Sequence, residues 1–146
     1  MKKLKNLICI VLSCIILIAF ASCSTTLKLD GHDWNFAYLQ QKSNAQIIAC
    51  GELKKEFFND VEVREFNVEI NKNSLTILND TNSWNVSFEK ISEKPNDIIY
   101  QGEVVIDGIT KQVMVGLGIT TYYNDKQEYT LLISTDNYII CFFEEK

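Results

Sequence analysis

The sequence predicts an all-β protein, an antiparallel up-and-down meander of eight or nine strands that closes into a barrel. Three observations predict it. From Trp34 onward, apolar residues alternate with polar ones in segment after segment, the period-2 pattern of a strand with one buried face. The segments are separated by short polar turns such as Asn71-Lys72-Asn73, Asn79-Asp80-Thr81-Asn82 and Asp136-Asn137, whose residues tolerate turn geometry. No apolar stripe of helical period is long enough for more than two or three turns of helix. A meander of this length has to hide its two edges, and closure is the simplest way.

The chain opens differently. Lys2, Lys3 and Lys5 precede a run, Leu7 to Phe20, that is apolar except for Ser13, and the small residues Ala21 and Ser22 lead into Cys23. A cationic start, a short apolar middle and a small-residue exit are the three parts of a secretory signal peptide. The apolar run has 14 residues, whereas a bilayer span needs roughly 20. A cysteine placed just after the small residues resembles the lipobox of bacterial prolipoproteins. That resemblance implies cleavage before Cys23, lipidation of Cys23, and a domain held on the extracytoplasmic face of the cell membrane. It divides the chain into a signal peptide (1–22), a lipidated cysteine and tether (23–33) and a β-barrel domain (34–146).

Trp34, Phe36 and Tyr38 alternate with Asn35 and Ala37 and predict the first strand. After a polar break, Gln46–Leu53 is a second apolar stretch in which Gly51 marks a bend or bulge. Leu53, Phe57 and Phe58 fall at helix-compatible spacing, so a short helix competes over Glu52–Asn59. Phe66, Val68 and Ile70 share one parity. Leu75 and Ile77 follow one turn, and Trp84, Val86 and Phe88 follow the next. The single proline, Pro95, lies in a polar loop, Ser92–Asp97, where its missing N–H disturbs no ladder.

The hairpin at Asp107-Gly108, a strong two-residue turn signal, can be registered from sequence alone. Ile106 faces Ile109 and paired numbers sum to 215, so Gly102, Tyr100 and Ile98 oppose Val113, Val115 and Leu117. The final pair, Glu128–Ser134 and Tyr138–Phe143, is apolar on both faces, the mark of strands covered on both sides.

Gly31 and Trp34 ahead of an eight-stranded meander resemble the opening of lipocalin-type small barrels. The runs at 100–108 (TyrGlnGlyGluValValIleAspGly), 120–123 (ThrThrTyrTyr) and 129–134 (TyrThrLeuLeuIleSer) are similar to a group of uncharacterised lipoproteins of clostridia-like bacteria. The resemblance implies a lipocalin-like barrel and carries no catalytic mechanism.

Composition narrows the function further. Removing the three signal lysines leaves 11 basic against 19 acidic residues. An acidic surface excludes nucleic acid as an expected partner, because phosphate binding needs clustered Lys and Arg. His32 is the only histidine, and it lies in the expected tether, so neither a histidine metal cluster nor a Ser–His–Asp arrangement is expected. The chain is read as no enzyme, with no cofactor and no metal. Of the five cysteines, Cys50 and Cys141 stay with the domain. They form either a disulfide, which the compartment permits, or two buried free thiols.

The aromatics Trp34, Phe36, Trp84, Phe88, Tyr100 and Tyr129 share inward parity. They either fill a core or line a cup that takes a small apolar or amphipathic ligand. The expected function is therefore a membrane-anchored binding barrel. The alternative is a protein-interaction or inhibitor module at the cell envelope, using the loops or the acidic outer face, with an envelope protein as partner.

Overall fold

A computed structural model describes residues 27–121 and 126–144. The expected signal peptide and Cys23 lie outside the described residues. The strands are β1 (Trp34–Gln41), β2 (Ile47–Cys50), β3 (Glu62–Val63), β4 (Asn67–Asn71), β5 (Ser74–Leu78), β6 (Ser83–Lys94), β7 (Asp97–Ile106), β8 (Ile109–Thr121), β9 (Gln127–Ser134) and β10 (Tyr138–Glu144). They form one sheet in the order β3-β2-β1-β10-β9-β8-β7-β6-β5-β4.

The all-β class holds, and β4 to β10 are the expected meander. Closure does not hold. The sheet has ten strands rather than eight or nine, and it curls into a half-barrel whose ends β3 and β4 do not pair. Pairing is antiparallel except between β2 and β3, where Ala49 and Cys50 face Glu62 and Val63 in parallel. The reason lies in the connections. Residues 51–61 cross over the outside of the sheet, and a crossover delivers its strand parallel to the one it left. The two sheet edges are then consecutive in the chain, joined by residues 64–66 alone. Phe66 on that link is buried, with its ring 4.8 Å from that of Phe36, and fills the seam that a further ladder would occupy.

The β7–β8 hairpin has the register expected from sequence. Its pairs run from Ile106↔Ile109 to Asp97↔Gly118, each summing to 215. Ile98, Val104, Val113, Val115 and Leu117 face inward and are buried. The Pro95 loop is tighter than expected, because β6 continues to Lys94 and β7 starts at Asp97. The turn is held by Ile119 N–H, which donates to the Asn96 carbonyl at 2.9 Å.

β1 breaks its own alternation. Phe36 pairs with Phe142, but Tyr38 pairs with Cys141, so Ala37 is an extra residue in a bulge. Tyr38 therefore turns to the outer face instead of sharing the inward parity of Trp34 and Phe36. There it meets the crossover. The competing helix is reduced to one 3-10 turn, Glu52–Lys54. Phe58 meets Tyr38 edge-on at 5.9 Å, and the Lys54 ammonium sits 4.3 Å from the Phe143 ring. The crossover thus covers the outer face of β1 and β10, where Cys141 is buried, but not that of β9, whose outward Leu132 is exposed, so only one of the two final strands is covered on both sides.

Cys50 and Cys141 are buried free thiols, not a disulfide. Both pair with Tyr38, one from each side of β1. Two strand spacings, roughly 9.5 Å, exceed the reach of a disulfide, whose Cα atoms lie within about 7 Å. Burial pushes the Cys141 thiol up from 9.0 to about 11, and burial together with Cys141 pushes the Tyr38 phenol up from 10.0 to about 12. Both groups hold their protons longer folded than unfolded, so the stability they contribute is complete below pH 9 and is lost as pH rises toward 12. The urea midpoint is expected to fall over that range. In Cys141→Ala the lower part of the fall, between pH 9 and 10, should disappear, and the part that Tyr38 carries above pH 10 should remain.

Among the described residues one core serves the sheet, and its buried members run from Leu27 to Phe142. Residues 24–146 contain all the residues the structure describes.

Candidate functional site

Strand direction defines two ends of the curled sheet. β1 starts at one end and β10 finishes there, with Trp34 paired to Glu144. The segment before β1, expected to be a free tether, is packed into this end. Leu27 and Leu29 are buried at 7% and 6% exposure. The His32 ring lies 5.4 Å from Trp34 and 4.7 Å from Tyr129. Its Nδ1 is 2.6 Å from Glu144 Oε1 and its Nε2 is 3.0 Å from the Lys28 carbonyl oxygen. His32 is thus a fold residue and not the free tether residue expected, because its ring covers two aromatics and lies within hydrogen-bond distance of two oxygens. His32→Ala should cost about 1–2 kcal/mol, between the usual worth of a neutral hydrogen bond and that of one to a charged group, measured by urea unfolding.

Five of the six aromatics expected to bind ligand belong to the core or to this closed end. Trp34 and Phe36 are buried in the wall. Phe88 and Tyr100 pack on each other edge-to-face at 5.0 Å, and Tyr129 carries His32. Phe36 and Phe88 also border shallow, more polar depressions of the surface. Of the six, only Trp84 lines the apolar cavity of the sheet.

That cavity, of about 290 Å³, lies at the opposite end of the sheet. Leu39, Ile77, Trp84, Ile106, Val113, Ile133 and Ile140 form much of its wall, and Phe66 closes it toward the seam. Its polar lining is Lys111 and the β9–β10 turn, Thr135-Asp136-Asn137. The turn is fixed from two sides. Tyr138 N–H donates to Thr135 Oγ1 at 3.1 Å, and Thr135 N–H donates to the Tyr138 carbonyl at 2.9 Å. From the β1–β2 loop, Lys42 N–H donates to the Asn137 carbonyl at 2.8 Å, and the Lys42 ammonium donates to the Thr135 carbonyl at 2.9 Å and to Ser134 Oγ at 3.2 Å. The mouth is therefore pre-formed.

Comparison with models of known families, with curated proteins and with solved structures returns no match.

A second depression, of about 370 Å³, flanks the seam at the same end, lined by Glu62, Arg64, Glu65 and the β5–β6 turn Asn79–Thr81. It is larger but more polar, its charges are partly matched within it (Arg64 to Glu62, 2.6 Å), and it shares Phe66 with the cup. Ligand sites in small proteins are mostly apolar clefts with a few placed polar groups, and the cup fits that description better. Among the described residues no group of three His, Cys, Asp or Glu side chains is gathered for a metal.

Sequence reasoning passed over Lys111, although the signal was present. The sum of 215 sets Lys111 opposite Val104, on the inward face. A lysine facing inward at the end of an apolar strand face is conspicuous once the register is known.

Proposed function

We propose that this chain is a membrane-anchored extracytoplasmic lipoprotein whose half-barrel holds a small apolar or amphipathic ligand in its open end, without catalysis. The observation that carries the reading is the apolar cavity at the mouth, of about 290 Å³, close to the lower limit of ordinary ligand sites at about 300 Å³. The sheet is closed by packing at one end and held open at the other by a hydrogen-bonded turn.

The anchor rests on the lysine–apolar–small–Cys23 pattern. Leu27, four residues after Cys23, is already buried at the closed end. A lipid on Cys23 therefore sets the closed end toward the membrane and the mouth away from it, so the cup samples the envelope space and not the bilayer. Incorporation of radiolabelled palmitate, lost in Cys23→Ser, tests the anchor.

Binding is tested on residues 24–146 with N-phenyl-1-naphthylamine, which fluoresces in apolar sites. Saturable one-to-one binding is expected, weakened at least tenfold in Ile106→Trp, which fills the half-buried rim of the cavity. A circular dichroism spectrum unchanged by Ile106→Trp separates a blocked mouth from a lost fold. No saturable signal in the unmodified protein would remove the reading.

One observation favours the second reading, a protein-interaction or inhibitor module. Leu53 and Phe57 on the crossover are 71% and 75% exposed beside Lys54. Loss of a captured envelope protein in the double variant Leu53→Ser, Phe57→Ser would support it.

A further inference from the structure

Of the lysines described, only Lys54 and Lys111 are half-buried; the others stand in solvent. Lys54 has compensation, since its ammonium lies over the Phe143 and Phe57 rings at 4.3 and 5.4 Å. Lys111 has none: among the described residues its ammonium makes no hydrogen bond, ion pair or ring contact. It occupies the inward parity of β8, one position above the buried series Val113, Val115 and Leu117, and it lines the apolar cavity. Drawing an ammonium partly out of water beside an apolar wall costs free energy unless an opposite charge or acceptors meet it. A long side chain recovers part of that cost by reaching toward water with its head, which sets the charge at the rim and its stem along the wall.

We infer that the ligand of the cup is an anionic amphiphile, its carboxylate or similar acidic head seated on Lys111 and its apolar chain in the cavity. The inference rests on the cup reading above and gives it a ligand class. Asp136 also lines the mouth and is the competing anchor, for a cationic head. It is exposed in the β9–β10 turn and stands beyond ion-pair distance of Lys111, so water already satisfies it and it gains little from a ligand. Lys111 gains more, because its partner would replace a shortfall rather than displace good solvation. The other cation at the mouth, Lys42, is committed to the Thr135 carbonyl and Ser134.

The test compares three probes with the same twelve-carbon chain and different heads, below their micelle concentrations, on residues 24–146: dodecanoate, dodecanol and dodecyltrimethylammonium. Each is titrated by displacement of N-phenyl-1-naphthylamine from the unmodified protein, Lys111→Arg and Lys111→Met. Dodecanoate should bind at least tenfold tighter than dodecanol. That preference should persist in Lys111→Arg and vanish in Lys111→Met. Without ligand, Lys111→Met should melt at the same or a higher temperature, since it removes a half-buried charge, while the rise in melting temperature caused by dodecanoate should be lost.

Equal binding of dodecanoate and dodecanol, or a preference that survives Lys111→Met, would overturn the inference while leaving the cup intact. Tightest binding of the cationic probe would transfer the head-group role to Asp136 and overturn it as well. Failure of all three probes and of the fluorophore would remove the cup reading, and the inference with it.

Discussion

Phe142→Ala is expected to lower stability by about 3–5 kcal/mol, the range for removing a buried aromatic ring from a core. Phe142 is fully buried near the middle of β10. It faces Phe36 across β1 and Leu131 across β9, and its ring meets that of Phe36 edge-on at 5.9 Å. It is thus the side chain through which the meander packs on the strand that returns from the start of the chain. A domain of this size is stable by about 5–15 kcal/mol, so this one truncation should move the urea midpoint more than any surface change. A loss below about 1 kcal/mol would mean that β1 and β10 do not pack as described. The ligand is not needed to see this effect.

Gly51→Ala is expected to be nearly as severe for the opposite reason. A Cβ on Gly51 would stand 2.1 Å from the Phe36 carbonyl oxygen and 3.2 Å from its carbon. That neighbour is backbone, so no side chain can swing aside. Gly51 N–H also donates to the Ala37 carbonyl at 3.1 Å, which binds the end of β2 to the bulge of β1. The φ of Gly51, −79°, is open to any residue, so the penalty is one of space alone. The loss should reach or exceed the upper end of the about 1–3 kcal/mol usual for overpacking, read by urea unfolding. Gly116→Ala is the control. A Cβ there meets only Leu132 Cβ, at 4.0 Å, and stability should be unchanged or slightly raised.

The parts of the fold legible in the sequence were those governed by local rules. The Asp107-Gly108 turn and its flanking alternation specify a register, and ten consecutive pairs follow it. The turns at 72–73, 79–82 and 135–137 were legible for the same reason. What escaped depends on contacts distant in sequence. The alternation Trp34, Phe36, Tyr38 looks unbroken, yet the bulge at Ala37 turns Tyr38 outward, where the crossover needs a ring to cover. Residues 27–33 carry no strand pattern and read as a tether. Their packing comes from the open end of a curled sheet that Leu27, Leu29 and His32 plug. Closure itself was inferred from the need to hide edges, and the chain meets that need with a buried phenylalanine on a short link.

The candidate site was legible in kind and not in detail. Inward aromatics signalled an enclosed apolar interior, but inward parity cannot tell a ring that fills from a ring that lines. The difference is position along the strand: Trp84 lies near the mouth, whereas Phe88, four residues further along β6, lies toward the closed end against Tyr100.

The central claim is that ligand enters the mouth beside Trp84, and fluorescence quenching tests it by position. Trp34→Phe leaves Trp84 as the sole emitter, and Trp84→Phe leaves Trp34. The Trp34 Nε1 is buried without a hydrogen-bond partner among the described residues, so phenylalanine there forfeits no bond within them. Titrating each with 12-bromododecanoate, whose bromine quenches indole only at short range, should strongly quench Trp84 and spare Trp34. Equal quenching of both, or quenching of Trp34 alone, would contradict the account.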